Sequence, residues 1–272
     1  MRHFALICAT VLLAALPLAA VSLHAQSFSS HPCPNGDGGG DKSFLSHWFG
    51  GSEQVCELRT VVFPLVNGQI NVNGTNGGTE VVGEDRRDIY LEARVIAHAG
   101  SKSAAEALLH EISIQTGETV QANGPKAAMT RSWSVSYKLH VPHELRGDYH
   151  TMNGGLTLVA IEGDIHGETT NGGLEFKNLG GNVRLSTTNG GIHATLAGNS
   201  WQGSGLSAKT TNGGISVDAA PGYSAHVIAS TVNGSIEVAG RTGSRHHSVN
   251  MNIGSGGPTL DFETTNGGIS IR

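Results

Sequence analysis

Residues Thr169-Thr170-Asn171-Gly172-Gly173-Leu174-Glu175-Phe176 form a phrase that the chain repeats with little change. The Thr-Thr-Asn-Gly-Gly core, followed each time by an aliphatic residue, returns at 187–192, 210–215 and 264–269, and variants occupy Met152–Leu156, Val232–Ile236 and Asn76–Thr79. A phrase that returns in a constant apolar register is one structural unit that buries its apolar face against copies of itself. The sequence therefore predicts a stack of repeated units between residues 149 and 272.

The spacing of the repeats favours an all-β, single-stranded β-solenoid over its main rival, an antiparallel meander of Asn-Gly hairpins. Successive repeats are 18, 18, 23, 21 and 33 residues apart, counted between Asn153, Asn171, Asn189, Asn212, Asn233 and Asn266. The first two steps align Leu156, Leu174 and Ile192, as internal columns of a solenoid require. The extra residues of the longer steps fall around 198–205, 221–225 and 241–258, after the second strand of the unit. A meander requires neither the alignment of like residues nor insertions confined to one corner.

We interpret the six repeat asparagines as structural corner residues. A sharp corner that demands positive φ favours Asn and Gly over other residues. The paired threonines before the corner are β-branched and fit an extended strand, and their hydroxyls can bond to a neighbouring unit. The phrase thus has a structural explanation and predicts no ligand.

The first 25 residues have the layout of a secretory signal peptide. Arg2 precedes an apolar run from Phe4 to Ala20, and the small-residue end Ser22-Leu23-His24-Ala25 follows it. The run is short for a membrane span, so we expect cleavage near Ala25, no membrane span afterwards, and a periplasmic or extracellular location. The remaining chain has 16 basic and 22 acidic residues, a net charge of −6. With no basic cluster, this balance argues against nucleic acid as a partner.

Residues 26–56 are predicted to be a flexible leader rich in Gly, Ser and Pro. Cys33 and Cys56 are the two cysteines beyond the signal peptide. In an oxidising compartment such a pair favours a disulfide over a metal pair, although two free thiols remain the alternative. Closing this loop would add roughly 3 kcal/mol of stability.

Residues 57–148 are predicted to form an N-terminal β region with one short helix at 104–112. Ser103 and Glu106 have the spacing of a capping box, and an apolar stripe of Ala105, Leu108, Leu109 and Ile112 follows. Alternating residues from Trp133 to Val141 predict a half-buried strand that Pro142 ends.

No catalytic residue, metal ligand or cofactor is predicted. The histidines His140, His143, His246 and His247 are not spaced as a converging ligand set, and loop residues are the simpler interpretation of His246 and His247. No Gly-x-Ser-x-Gly motif is present. At the 18-residue step Asp164 would stack on Asn182, which supplies no second carboxylate for glycoside hydrolysis.

The repeated Thr-Thr-Asn-Gly-Gly-[Ile/Leu]-x-apolar units, preceded by a strand that ends at Val141-Pro142, resemble the bacterial putative-adhesin family over roughly residues 57–272. The resemblance implies a toast-rack-like β-solenoid outside the cytoplasm and supplies no catalytic residues. Members often have Gly-Asp where this chain has Gly-Gly. The function it implies is an adhesin-like scaffold that binds a surface protein or glycan. Alternatives are an envelope-stress or sensory accessory domain that docks on a membrane partner, and a carbohydrate-active solenoid.

The last strand carries one more prediction. The sequence stops at Ile269-Ser270-Ile271-Arg272, inside a repeat unit. We expect this final unit to be uncovered, with unpaired backbone groups that can pair with another chain or dock on a partner. We therefore expect self-association through this C-terminal coil.

Overall fold

The computed structural model describes residues 27–34, 53–238, 241–243 and 247–272, with side chains given for these residues except 241–243. The described residues are mostly β, with one helix, as the sequence predicts. The strands form two mixed sheets, of 12 and 10 strands, and both sheets are open at their ends. The predicted signal peptide and most of the predicted leader lie outside the described residues.

The larger sheet, called sheet A, contains twelve strands. They are β1 (Ser29–Pro32), β2 (Glu53–Pro64), β4 (Thr79–Glu84), β5 (Asp88–Ala99), β8 (Ser132–Pro142), β10 (Leu156–Val159), β12 (Leu174–Lys177), β14 (Ile192–Leu196), β16 (Ile215–Ala219), β18 (Ile236–Val238), β19 (Arg241–Gly243) and β22 (Ile269–Ile271). Their order across the sheet is β1-β2-β5-β8-β4-β10-β12-β14-β16-β22-β18-β19.

The smaller sheet, called sheet B, contains the other ten strands. They are β3 (Gln69–Asn76), β6 (Ser113–Gln115), β7 (Thr119–Asn123), β9 (Arg146–Asn153), β11 (Glu162–Asn171), β13 (Gly180–Asn189), β15 (Gly205–Asn212), β17 (Ala225–Asn233), β20 (Ser248–Ile253) and β21 (Thr259–Asn266). Their order is β20-β17-β21-β15-β13-β11-β9-β3-β7-β6.

Each repeat unit supplies one long strand to sheet B and one short strand to sheet A, and the Asn-Gly-Gly corner joins the two. Neighbouring units pair in parallel and in the predicted register: Leu156 lies opposite Leu174, and Leu174 opposite Ile192. The Asn-Gly corners therefore do not form hairpins between neighbouring antiparallel strands, and the meander prediction is wrong for these units. Like residues stack because parallel pairing without a shift keeps the same face of every strand in the core.

The prediction of an uncovered last unit is wrong. β21 pairs with β15 on one side and β17 on the other, and β22 lies between β16 and β18. The C-terminal unit is thus inserted between two units that precede it in the chain. Its strand edges are already used, so the predicted self-association through this coil loses its physical basis.

Antiparallel strands occupy the ends of both sheets. β19 and β20 pair with β18 and β17 at one end, where the 33-residue step places its additional residues. β1 pairs with β2, and β6 with β7, at the other end. These strands cover backbone groups that parallel stacking alone would leave unpaired.

The helix α1 spans Lys102–Glu111 and packs on β2 and β5. Its N-cap is Ser101, whose hydroxyl accepts a hydrogen bond from the amide of Ala104, so the predicted capping box at Ser103 and Glu106 is wrong. The predicted apolar stripe is buried. At the other end the guanidinium of Arg59 donates to the carbonyl oxygens of Ile112 at 2.5 Å and Leu109 at 2.8 Å, which satisfies carbonyls at the end of the helix.

One apolar core runs through both the N-terminal region and the repeats. β4 pairs with β8 on one side and with β10 of the first repeat on the other, so the two predicted regions share their sheets. No helix in the described part of the chain is both long and apolar enough to cross a membrane.

Candidate functional site

Seven stacked asparagines form a continuous side-chain ladder at the corner between the sheets. Each rung is an amide Nδ2 donating to the Oδ1 of the neighbouring asparagine at 2.8–2.9 Å. In space the order is Asn76, Asn153, Asn171, Asn189, Asn212, Asn266 and Asn233. All six predicted corner residues thus lie at the corner, and they act through their side-chain amides.

The first glycine of each corner is required by close approach, and the predicted reason, positive φ, is wrong for the six predicted corners. Positive φ occurs at Gly77 of the first corner, and not at Gly172 or at the six predicted asparagines. A Cβ on Gly172 would lie 2.1 Å from the carbonyl oxygen of Gly154 in the adjacent unit. Positive φ appears instead at the opposite corner, at Ala160 and Asn178. At the first glycine of each Asn-Gly corner, the stacked backbones are therefore too close for any side chain.

The first threonine of each pair is buried and donates a hydrogen bond to the adjacent unit. Thr169 is 0% exposed, and its hydroxyl donates to the carbonyl oxygen of Gly154 at 2.8 Å. The same bond recurs from Thr187 to Gly172 at 2.9 Å and from Thr210 to Gly190 at 2.8 Å. These hydroxyls satisfy carbonyl groups that the sheet ladders leave without a donor.

The second glycine of each corner is different, because a Cβ there would lie 3.2–3.6 Å from its nearest neighbour, against 1.9–2.3 Å at the first glycine. A Cβ on Gly173 would come no closer than 3.6 Å to the carbonyl oxygen of Gly191, an ordinary contact. One unit already carries a side chain here, since Ser235 pairs through its carbonyl oxygen as the glycines do. Packing therefore permits a side chain at Gly173, whereas at Gly191, Gly214 and Gly268 a Cβ would lie 3.2–3.3 Å from a carbonyl oxygen and would require a small shift.

The absence of these side chains leaves a groove across the stacked units, which we call the glycine groove. Its main part has a volume of about 780 Å³ and a second part, continuous with it through Gly155 and Thr157, about 440 Å³. The row of residues that defines it is Gly78, Gly155, Gly173, Gly191, Gly214, Gly268 and Ser235. At the spacing of neighbouring strands the row is roughly 29 Å long.

The groove offers hydrogen-bond donors from its floor. Within the described residues, the amide N–H groups of Gly155, Gly173, Gly191, Gly214 and Gly268 have no backbone acceptor, whereas the carbonyl oxygens of these residues accept from the adjacent unit. The buried side chains of Leu174 and Ile192 lie beneath them. Unpaired peptide N–H groups beside buried aliphatic side chains suit a ligand that is rich in oxygen acceptors.

The wall on sheet A carries small polar and ionisable side chains. In spatial order they are Glu80, Thr157, Glu175, His193, Ser216, Ser270 and Glu237. Glu175 pairs with Lys177 at 2.7 Å, and this hydrogen bond, followed by the charges of Lys177 and His193, lowers the pKa of its carboxyl group. His193 lies 3.6 Å from Asp218. The wall therefore supplies both acceptors and donors, and its charged side chains are mainly carboxylates.

The second part of the groove is bordered by charged residues on the N-terminal strands. Lys138 lies 3.1 Å from Glu80, and Glu92 and Arg94 line the same space. Beyond it His140 Nδ1 lies 2.5 Å from Glu84, and this bond is the main cause of the lowered pKa of Glu84. The pair is a contact between strands, and the described residues hold no group of three metal-ligating side chains around it or elsewhere.

A smaller cavity of about 390 Å³ lies at the opposite corner. It is lined by Trp201 and Tyr223, yet these side chains are only 3% and 5% exposed, so they pack rather than present a flat ring to solvent. Trp201 donates from its indole nitrogen to the carbonyl oxygen of Gly181 at 3.0 Å, and burial raises the pKa of Tyr223 to about 12. This cavity is the weaker candidate for a binding site.

The remaining predicted residues have structural positions. Cys33 and Cys56 form a disulfide with their Cα atoms 5.6 Å apart, and it joins the end of β1 to β2. Asp164 stacks on Asn182 and accepts a hydrogen bond from its amide at 2.8 Å, as the 18-residue step predicts. His143 contacts the carbonyl oxygen of Ala160. His246 lies outside the described residues.

Sequence reasoning did not identify the groove, although a signal for it exists. The phrase was interpreted as a corner in which both glycines serve the turn. Ser235, which replaces the second glycine in one unit, shows that the two positions differ. The groove itself depends on which strands lie beside each other in sheet A, and spacing does not reveal that order.

No protein-family model matches the chain, and no curated protein matches it. The solved structures with a similar fold include a putative cell adhesion protein from Clostridium sporogenes, with 13% identity, 81% of this chain and 98% of that chain covered, and a TM-score of 0.39. A putative adhesin from Bacteroides fragilis has 14% identity, coverage of 79% and 97%, and a TM-score of 0.36. A putative lipid binding protein from Parabacteroides distasonis has 12% identity, coverage of 80% and 97%, and a TM-score of 0.32.

Proposed function

We propose that this chain is an exported, non-enzymatic, adhesin-like scaffold built as a β-solenoid, and that its glycine groove binds a linear, neutral glycan of a cell surface. The observation that carries the proposal is the row of second glycines. Packing permits a side chain at Gly173, and Ser235 already supplies one in another unit, yet the other units keep the position bare. The bare row creates a continuous groove whose backbone donors remain unused.

The repeat of the groove suits a polymer better than a small molecule. Neighbouring units place equivalent donors one strand spacing apart, about 4.8 Å. A pyranose ring linked through opposite ring carbons advances the chain by a similar length. An extended peptide advances by about 3.3 Å per residue and would lose register with the units after a few residues. The match therefore favours one sugar per unit.

The chemistry of the groove favours neutral sugars. The carboxylates of Glu80, Glu175 and Glu237 line one wall and would repel an acidic polymer. Together with Ser216 and Ser270 they can accept or exchange hydrogen bonds with sugar hydroxyls, while the glycine amides donate. Cleavage is not part of the proposal, because Glu175 is paired with Lys177 and Asp164 with Asn182, and neither pair supplies the two carboxylates that glycoside hydrolysis uses.

Binding of purified chain to a panel of linear neutral and acidic polysaccharides tests the proposal. Gly173→Leu fills the middle of the groove at a position where a Cβ meets only ordinary contacts. Thr170→Leu is the matched control, because Thr170 is exposed on the other side of the same corner. We expect the first variant to lose binding to a neutral glycan and the second to retain it, with both variants folded.

Two outcomes would overturn the proposal. Equal binding by the two variants would show that the glycine groove is not the site, and binding of acidic polymers in preference to neutral ones would show that the ligand is not a neutral glycan. Cleavage of the bound glycan by the purified chain would instead favour the carbohydrate-active alternative.

A further inference from the structure

The asparagine ladder contains seven Asn-Gly sequences, and Asn-Gly is the dipeptide most prone to spontaneous deamidation because glycine leaves the attacking nitrogen unhindered. In this reaction the backbone nitrogen of the glycine attacks Cγ of the asparagine. A bond from this nitrogen to Cγ forms, the Cγ–Nδ2 bond breaks, and the backbone proton leaves with Nδ2 as ammonia. Water then opens the succinimide to aspartate or isoaspartate, with no change of oxidation state.

The ladder opposes this reaction at six of its seven positions. In each, the N–H of the first glycine donates to the backbone carbonyl oxygen of the asparagine in the adjacent unit at 3.0 Å, as Gly172 does to Asn189. The side-chain amide is held as well, for example by the rungs from Asn171 to Asn153 and from Asn189 to Asn171, each 2.9 Å. Attack requires both the N–H bond and the rung to break.

The seventh position, Asn233, lies at the end of the ladder, and no such bond is made there by the residues that the structure describes. Within the described residues the N–H of Gly234 has no acceptor, because the carbonyl of Asn233 is itself the last acceptor of the row. Among the described residues, the side chain of Asn233 bonds to Asn266 alone, from Nδ2 to Oδ1 at 2.8 Å. Asn233 and Gly234 are both exposed.

The other end of the ladder is protected. Asn76 is also a terminal rung, but the N–H of Gly77 donates to the carbonyl oxygen of Asn153 at 3.0 Å. The two ends thus differ at the atom that attacks. We propose that Asn233 is a deamidation site of the folded chain, and that the ladder protects Asn76, Asn153, Asn171, Asn189, Asn212 and Asn266.

The modification would be confined to the last rung. Aspartate or isoaspartate at this position has no N–H to donate to Oδ1 of Asn266, so the rung between the two residues breaks. In the aspartate product the backbone bond from Gly267 to the carbonyl oxygen of residue 233, 3.0 Å, is kept, whereas in the isoaspartate product that carbonyl carbon becomes a free α-carboxylate, whose oxygens can still accept from Gly267. The next Asn-Gly therefore keeps its protection as long as the backbone bond persists.

Peptide mass spectrometry after incubation of the folded chain at mildly alkaline pH tests the proposal. In water enriched with ¹⁸O the product carries the label and is counted at each asparagine separately. We expect Asn233 to convert at least about tenfold faster than Asn171 and Asn76, since each protected position must first lose hydrogen bonds. In denaturant the rates at Asn233 and Asn171 should become similar, because both are followed by glycine.

Asn233→Gln provides the matched variant, since glutamine cyclises far more slowly. We expect it to remove the fast-converting product while Asn171 and Asn76 stay slow. Equal rates at Asn233 and Asn171 in the folded chain would overturn the proposal. Fast conversion of Asn76 would also overturn it, because this end of the ladder would then react despite its bonded glycine. Neither outcome depends on whether the groove binds a glycan.

Discussion

The hydroxyl of Thr169 donates to the carbonyl oxygen of Gly154 in the adjacent unit at 2.8 Å, and the threonine is fully buried. Thr169→Val keeps the shape of the side chain and removes the donor. The carbonyl oxygen of Gly154, in a partly buried corner, would lose its donor, so we expect the free energy of unfolding to fall by about 0.5–1.5 kcal/mol. Denaturant unfolding measures this change.

The neighbouring Thr170 supplies the control for this prediction. It is exposed on the outer face of the corner, and Thr170→Val should change the free energy of unfolding by less than about 0.5 kcal/mol. Equal losses in the two variants would mean that β-propensity, and not the bond to Gly154, explains the first threonine.

Substitution by alanine is predicted to destabilise the protein at Gly172 and to have little effect at Gly173. A Cβ on Gly172 would lie 2.1 Å from a backbone oxygen, which cannot move aside without separating the stacked units. We expect Gly172→Ala to lower the free energy of unfolding by at least about 1–3 kcal/mol. Gly173→Ala should stay within about 0.5 kcal/mol of the parent, because the nearest atom is 3.6 Å away. A large loss in the second variant would contradict the free space assigned to the groove.

Tyr149 is fully buried, and no described residue bonds to its hydroxyl. Tyr149→Phe removes a polar group that is costly to bury, so we expect the free energy of unfolding to rise by about 1 kcal/mol at neutral pH. Unfolding curves of the two proteins give the difference. A loss of stability would show that the hydroxyl has a partner, such as bound water.

The same substitution has a predicted pH dependence. Burial raises the pKa of Tyr149 above its usual value of 10. The unfolded chain therefore releases this proton at lower pH than the folded chain, and the free energy of unfolding falls as the pH rises above about 10. Tyr149→Phe should reduce this alkaline fall, while Tyr137, whose pKa burial also raises, should maintain part of it.

The register of the repeats could be predicted because like residues recur at like positions. Leu158, Phe176 and Ala194 occupy one column, as the 18-residue step indicates. The order of the units could not be predicted from spacing, since the phrases at 210–215 and 264–269 are identical and either could pair with the same neighbour. Side-chain volume carries the missing information: Phe262 is flanked by Ala208 and Ala229.

Predicting the candidate groove would likewise have required knowledge of which backbones lie next to each other. The sequence shows two glycines per corner, and both fit a turn. Only the stacked backbones show that a Cβ on Gly172 would clash with a carbonyl oxygen, while a Cβ on Gly173 would meet one at an ordinary contact distance. The start of the helix was missed for a related reason, because Ser101 and Ser103 are equivalent cap residues by sequence and the path of the chain selects Ser101.

The central position of the last unit gives the final prediction. Phe262 is 0% exposed and fills the space that the alanines on both sides leave. Phe262→Ala would place three alanines side by side in the core, so we expect a loss of about 3–5 kcal/mol in the free energy of unfolding. Val232→Ala, at a side chain that is 64% exposed, is the control and should have little effect. If β21 were a peripheral strand, its phenylalanine could relax toward solvent and the two losses would be similar. A much larger loss for Phe262→Ala than for Val232→Ala is therefore what we expect of a central strand, in which Phe262 fills the core between Ala208 and Ala229.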